Sequence, residues 1–487
     1  MLMDTSPTKD FLYESLAADL TGLIASGTFR PGDRLPSVRR LSAQRKVSVS
    51  TILQAYMLLE DRGLIEARPQ SGYYVRSAEG QRLPVSRHDP LPEPEISSPE
   101  PDPAQVGLRE LVMHVLRDSE NPNLVQLGTA LPNRDLLPTK RLNRIVATLA
   151  REQEEQSNGY FFPPGYEPLR VQIAKRAIVA GCSLSPADIV TTAGCLEAVE
   201  LCLRAVCQAG DIVAIESPTY FGILQSIEAL GLKALEIPTH PRDGISLGAL
   251  RFALEHNPVR ACLVVSNFNN PLGSCMPEEA KRELVDLLAA HEIPLIEDDI
   301  SGEIYFSEQR PIVAKAFDRK GLVLLCSSFS KDVCPGYRVG WTAPGRFKAT
   351  VEWLKFASSG TTASLPQMAV AEFIACGSFD HHLRRLRREY AFNVEQMTQA
   401  VVRCFPAGTR VTRPAGGFVL WVQLSEMVDS LDLYRQALKV GVTLAPGYIF
   451  SASNKYRNFI RLNAAVWSKE VERAIGRLGE LVDQEIA

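Results

Sequence analysis

The chain has 487 residues, is 45% hydrophobic and 22% charged, and carries a net charge of −3. The length exceeds what one core fills and predicts about two or three domains; the composition is that of a globular protein, and the charge balance excludes a bulk polyanion-binding surface. Ten cysteines without a CxxC pair, no histidine cluster, no signal-peptide core in the first ten residues and no apolar run of spanning length argue against a zinc site, a disulfide framework, secretion and a membrane span, and predict a cytoplasmic protein with reduced thiols.

Residues 11–29 place Leu12, Leu16, Leu20 and Leu23 or Ile24 at helical spacing, and Pro31-Gly32 breaks the pattern. Ser37 caps a short helix through Gln44, Lys46 and Val47 make a tight turn, and Ser48 caps a helix that runs to about Arg62 and stops at Gly63. Two short strands, 64–67 and 73–75, flank Arg68-Pro69-Gln70-Ser71-Gly72. Helix, helix, turn, helix and hairpin make a winged helix-turn-helix. Between Arg30 and Lys46 six basic residues stand against Asp33 alone, a local patch suited to phosphate. A helix lying in a major groove presents its N-terminal residues to base edges. Ser48, Ser50 and Thr51 stand there, Arg34, Arg39 and Arg40 flank the groove, and Arg68 and Gln70 sit at the wing tip. By charge alone a solvated helix face is the better account of the patch, and a winged helix can also serve protein contacts.

The run from Arg30 to Arg39, together with Gly63-Leu64-Ile65 and Ser71-Gly72-Tyr73-Tyr74-Val75, resembles the GntR family of winged-helix regulators over residues 10–76. The resemblance implies double-stranded DNA as a partner. Many relatives carry Arg where Val49 stands, so their operator does not carry over.

Seven prolines among Asp, Glu and Ser between 81 and 103 predict a semi-rigid extended spacer, with the linker spanning 77–123. From 124 to 487 the pattern alternates apolar strand runs (188–192, 211–215, 261–266, 293–296, 322–326) with helical stretches such as 196–206 and 278–290. That alternation predicts an α/β domain with a mostly parallel sheet covered by helices.

Chemistry-bearing residues recur at the ends of these strands. Thr191-Thr192-Ala193-Gly194-Cys195 closes a strand and opens a helix, where backbone N–H groups and the helix dipole favour an anion. Pro218-Thr219-Tyr220 follows the next strand, and Asn269-Asn270-Pro271-Leu272-Gly273 a later one. An acid, Asp298, ends the run Leu295-Ile296-Glu297. Thirty-three residues on, Lys331 stands among small hydroxyls in Ser327-Ser328-Phe329-Ser330, with Arg338 seven positions later. Taken singly, each has an ordinary reading: a solvated lysine, a helix cap, a plain turn, a core aromatic.

Taken in order, they resemble the fold-type-I aminotransferases over about residues 124–480, which implies pyridoxal 5′-phosphate as cofactor. By that resemblance Lys331 carries the cofactor, Asp298 pairs with the pyridine nitrogen, Asn270 binds the phenolic oxygen and Tyr220 stacks on the ring. Gly194, Cys195, Ser328, Ser330 and Arg338 hold the phosphate, Tyr160 reaches the partner subunit's phosphate, and Arg461 grips a substrate α-carboxylate. No metal is implied. One departure concerns the tyrosine that relatives carry two or three residues after the acid: Ile300 and Ser301 stand there, and Tyr305 is the nearest.

A winged helix, a proline-rich linker and an aminotransferase-like domain together resemble the MocR subgroup of GntR regulators. This implies a homodimer that senses an amino acid, an amine or a cofactor-related effector. The alternative is a working aminotransferase with an accessory DNA-binding module; a sensor that uses no cofactor is a third reading.

Overall fold

A computed structural model of the chain describes residues 12–25, 29, 32–68, 72–75, 92–99, 102–104 and 106–486. It divides between residues 89 and 90 into two units.

In the first unit, helix α1 (Leu12–Ala25) precedes α2 (Val38–Arg45) and α3 (Val49–Asp61). The side chain of Ser37 accepts from the Arg40 N–H to cap α2, and Lys46 turns the chain with a left-handed φ of 54°. Ser48 caps α3 by accepting from the Thr51 N–H at 3.1 Å. Strands β1 (Ile65–Arg68) and β2 (Gly72–Val75) pair antiparallel, from Ile65 opposite Val75 to Arg68 opposite Gly72. Leu16 and Leu20 of α1 pack with Ile52, Tyr56 and Leu59 of α3 beneath the hairpin. The Tyr56 hydroxyl donates to the Pro36 carbonyl at 2.7 Å, which satisfies a polar group at the edge of this small core. Residues 26–28 of the expected first helix, Gln70, Ser71 and the Arg68 side chain lie outside the described residues.

The second unit begins earlier than the sequence suggested. The expected linker of 77–123, with its semi-rigid extended spacer, packs onto this unit in its second part. The Val411 N–H donates to the Pro92 carbonyl, Glu95 pairs with Arg410 at 2.9 Å, and Ala104 forms a bridge with Ala234. The helix Arg109–Asp118 then buries Val112 and Val115 in the main core. The physical reason is apolar surface: Val106, Leu108, Val112 and Val115 have the spacing to cover a neighbouring core, and the proline-rich segment before them supplies carbonyl acceptors such as that of Pro92.

The remaining strands are β3 (Val125–Gln126), β4 (Val190–Thr192), β5 (Ile212–Ser217), β6 (Lys233–His240), β7 (Gly244–Ile245), β8 (Val259–Val264), β9 (Leu295–Asp298), β10 (Val323–Ser328), β11 (Gly340–Ala343), β12 (Arg410–Val411), β13 (Val419–Gln423), β14 (Val442–Thr443), β15 (Ala445–Pro446) and β16 (Phe459–Asn463). Eight of them form one sheet in the order β4-β11-β10-β9-β8-β5-β6-β7. The contiguous strands β10, β9, β8, β5 and β6 run parallel, and β11 is inserted antiparallel between β10 and β4. From β5 the chain steps to β6 on one side and through β8, β9 and β10 on the other, so strand order reverses between β5 and β8. Ligands in such sheets usually sit at the ends of the parallel strands near such a reversal. A second, antiparallel sheet of order β12-β13-β16-β15 sets Arg461 opposite Trp421. Among the described residues no helix is long and apolar enough to cross a membrane, and no group of three or more His, Cys, Asp or Glu could hold a metal ion.

Candidate functional site

A cavity of about 180 Å³ lies at the strand ends, and Cys195, Tyr220, Asn270, Asp298, Ser330, Lys331 and Arg338 all line it. Parallel pairing explains the first part of this convergence. Asp298 ends β9 directly beside Cys326 of β10, so the chain leaving β10 brings Lys331 to the same rim. The Lys331 ammonium donates to the Ala130 carbonyl at 2.8 Å. Burial, with the positive charges of Arg461 and Arg338, lowers its pKa to about 8, although Asp298 opposes the shift.

Asp298 is buried, and burial raises its carboxyl to about 6. The Cys195 thiol at 3.2 Å and the Ile300 N–H at 2.9 Å both donate to its Oδ1 and offset part of that rise.

Gly194 caps the 12-residue helix Cys195–Val206 with φ 95° and ψ 171°, a backbone conformation essentially reserved for glycine. A Cβ on Gly194 would lie 2.2 Å from the Arg338 guanidinium. That guanidinium donates to the Ala193 carbonyl at 3.0 Å and to the Ser330 hydroxyl at 3.4 Å. The helix start, the Ser330 hydroxyl and Arg338 therefore crowd into one cationic corner. Ser328 is buried just outside the cavity, and its hydroxyl accepts from the Ser330 N–H.

Tyr220 caps the helix Phe221–Ala229, and burial raises its phenol. Arg461 is fully buried on β16, and its Nη1 donates to the Asn270 Oδ1 at 3.1 Å. Burial lowers its pKa to about 10. Tyr160 stands apart from the cavity at 78% exposure, beside Phe162. In the first unit Arg34, Arg39, Arg40, Ser48 and Ser50 are exposed and Thr51 is half-buried. Ser48 spends its hydroxyl on the cap and on its neighbours Ser50 and Thr51.

Sequence reasoning missed several walls of the site. Phe268, at a left-handed φ of 57°, and Val265, Phe418 and Val419 line the cavity. So do Ile300 and Ser301, while Tyr305 lies under the Arg387 guanidinium. Glu216 was also missed; it accepts from the side-chain amide of Asn269 at 2.6 Å, one residue before Asn270. Apolar lining residues and a buried acid carry no motif by which a sequence announces them.

Comparison with known proteins places both units. Residues 130–478 match the family described as aminotransferase class I and II, and residues 12–75 match the bacterial regulatory proteins of the gntR family. The chain belongs to the aminotransferase class I and II family and carries a GntR winged helix in front of it, the architecture of the MocR subgroup. Two Escherichia coli K12 proteins described as uncharacterized HTH-type transcriptional regulators, YdcR and YjiR, are each 39% identical to it; the first match covers 97% of this chain and 99% of that protein, the second 96% and 98%. The chain is accordingly a DNA-binding transcription regulator with an aminotransferase-like domain. Among solved structures, the second unit resembles the multiple substrate aminotransferase of Thermococcus profundus, with a TM-score of 0.72, 26% identity and coverage of 77% of this chain and 95% of that one. It also resembles LysN, an α-aminoadipate aminotransferase from Thermus thermophilus complexed with N-(5′-phosphopyridoxyl)-L-leucine, with a TM-score of 0.72, 28% identity and coverage of 76% and 95%.

Proposed function

We propose that the second unit binds pyridoxal 5′-phosphate, and that an amino acid or amine engaging the same cavity sets the DNA affinity of the winged helix. The observation that carries this reading is the convergence of Lys331, Asp298, Asn270, Tyr220 and Arg338 on one cavity. The residues fit the group. At Gly194 the missing Cβ lets the Arg338 guanidinium lie against the helix start, which makes the corner rich in donors for a phosphate. Asp298, also lining the cavity, supplies an acid for a ring nitrogen.

When bound, pyridoxal phosphate supplies an electrophilic carbon and an electron-withdrawing ring. Lys331 offers its amine to that carbon, and its lowered pKa keeps part of the amine neutral near physiological pH. Asp298 holds a proton at the ring nitrogen. Asn270 already uses its Oδ1 to accept from Arg461, which leaves its amide N–H groups for the phenolic oxygen. Tyr220 covers a ring face, while the Gly194–Cys195 helix start, Ser330 and Arg338 take the phosphate, with Ser328 holding the Ser330 backbone behind them. Arg461 receives the effector's carboxylate, and Tyr160, exposed on this chain, serves the partner subunit's phosphate in a homodimer. A coupling of about 1–3 kcal/mol between cavity and winged helix would switch operator occupancy.

The test is an absorption spectrum with pyridoxal phosphate for the wild type and Lys331→Ala, with amino acids and amines titrated and DNA affinity read in the same samples. A visible band that requires Lys331 and moves with an amine, together with changed DNA affinity, supports the sensor. A cofactor bound with no amine-dependent change in either signal overturns it. The complete set of Lys331, Asp298 and Arg461 favours a second reading, aminotransfer. Conversion of the band by an amino acid and its restoration by a 2-oxo acid would establish that activity.

A further inference from the structure

The helix α3 carries an apolar stripe that its own unit does not need. Val49, Leu53 and Met57 are 46%, 38% and 43% exposed, although the spacing of four residues places them on one line along the helix. The opposite face is complete without them: Ile52, Ala55, Tyr56 and Leu59 are fully buried against α1 and the hairpin. The exposed face from Val49 to Met57 carries no charge, being made of Val49, Ser50, Leu53, Gln54 and Met57. Basic groups stand beside it instead, in exposed Arg39 and Arg40 on α2 and in exposed Lys46 at the turn.

We propose that Val49 and Leu53 read the C5-methyl groups of thymine in the major groove, so that this protein selects A·T pairs where α3 meets the bases. The inference rests on the DNA-binding reading of the first unit and deepens it. A base-reading helix uses its N-terminal residues, and Val49 and Leu53 occupy the first two turns. Each base pair presents a distinct pattern in the major groove. Guanine is met by Arg or Lys and cytosine by an acid, and this face has neither. An aliphatic side chain finds one complementary group there, the thymine methyl. Exposed Gln54, next to Leu53, adds an amide of the kind that bonds adenine through N6 and N7, and adenine is thymine's partner. Arg39, Arg40 and Lys46 supply the flanking phosphate contacts, which fix register without carrying sequence.

The experiment selects duplexes with the full chain from a pool of random core sequence at fixed ionic strength, then rebuilds the selected duplex with deoxyuridine replacing single thymines. Uracil pairs as thymine does and lacks only the methyl. At one or two positions per half-site, uracil should weaken binding about fourfold for each buried methyl. The same replacement should cost nothing in the matching Val49→Ala or Leu53→Ala variant, whose unperturbed thermal unfolding shows an intact fold. A selected duplex that tolerates uracil at every position, or whose core lacks thymine, overturns the proposal while DNA binding stands. If no duplex is enriched and no salt-dependent binding is seen, the DNA-binding reading falls and the proposal falls with it.

Discussion

Arg461 and Asn270 are 191 residues apart in the chain, yet the guanidinium Nη1 donates to the Asn270 side-chain carbonyl at 3.1 Å. The Nη2 of the same guanidinium donates to the Gly128 carbonyl, and its Nε has no hydrogen-bond partner among the described residues. A fully buried guanidinium with neutral partners alone lacks the anion that such burial ordinarily demands. An effector carboxylate would supply it. Arg461→Ala should therefore weaken the response to α-amino acids about 10- to 100-fold, the loss of one charge-assisted hydrogen bond of about 1.5–3 kcal/mol, and change the response to simple amines far less. Titrations of both ligand classes against the cofactor band measure this. Equal losses for both classes would remove the carboxylate assignment.

The lysine at the cavity rim should report its surroundings through pH. Burial and the neighbouring Arg461 and Arg338 lower the Lys331 pKa to about 8, so half its amine is neutral there rather than near the ordinary lysine value. The rate of cofactor attachment in the wild type should rise between about pH 6 and pH 9 with a midpoint near 8. Removing a positive neighbour with Arg461→Ala should move that midpoint upward. Stopped-flow absorbance across pH measures it; a midpoint near 10 in the wild type would refute the depressed value.

Much of the site was legible because its residues sit at strand ends, where short motifs mark where a chain leaves the sheet. Asp298 and Lys331 follow neighbouring parallel strands, and Gly194-Cys195 marks a strand-to-helix turn. In the first unit, Ser37, Ser48 and Gly63 mark helix ends through local capping rules, and the structure uses all three. What was not legible depends on distance along the chain. The Cys195 thiol meets Asp298 103 residues away, and Glu216 meets Asn269 53 residues away. Strands β6 and β11 were missed too. The first is interrupted by Pro238, and the second is four residues long beginning at Gly340, a composition that reads as a turn. The stretch 92–118 reads as linker because proline and acid dominate it through Pro103, while the apolar residues after that join a core built mostly from residues beyond 190.

Gly194→Ala tests the phosphate corner. The added methyl would need the space of the Arg338 guanidinium, 2.2 Å away, in a backbone region that costs a residue with a side chain about 1–3 kcal/mol. The variant should fold with a lower melting temperature and bind pyridoxal phosphate at least tenfold more weakly, because Arg338 must leave the helix start. Equilibrium titration of the visible band and thermal unfolding without cofactor separate the two effects. Unchanged cofactor affinity would show that the corner is not the phosphate site.

Beneath the cavity, Glu216 gives the second unit a pH dependence whose sign follows from its burial. Its Oε2 accepts from the Val265 N–H at 2.7 Å and from the Asn269 amide at 2.6 Å, and its Oε1 has no partner among the described residues. Burial pushes its carboxyl up to about 8, so the group is mostly neutral at pH 7. The unfolded chain ionises the same group near the ordinary carboxylate value of about 4.3. Between these two values the folded state holds the extra proton. The group's contribution to stability is therefore complete below the unfolded value and is lost as pH rises toward 8, at about 1.4 kcal/mol per pH unit. Asp298, raised to about 6, and Asp332, raised to about 7, have the same sign and remain in both proteins of the comparison. Glu216→Gln keeps an acceptor for Val265 and Asn269 and removes the proton exchange. The melting temperature of the cofactor-free wild type should fall between pH 5 and pH 8, and that of the variant should fall less, the gap widening with each unit. Parallel curves would mean that Glu216 is already ionised in the folded protein. A variant steeper than the wild type would reverse the sign and remove burial as the dominant influence on this carboxyl.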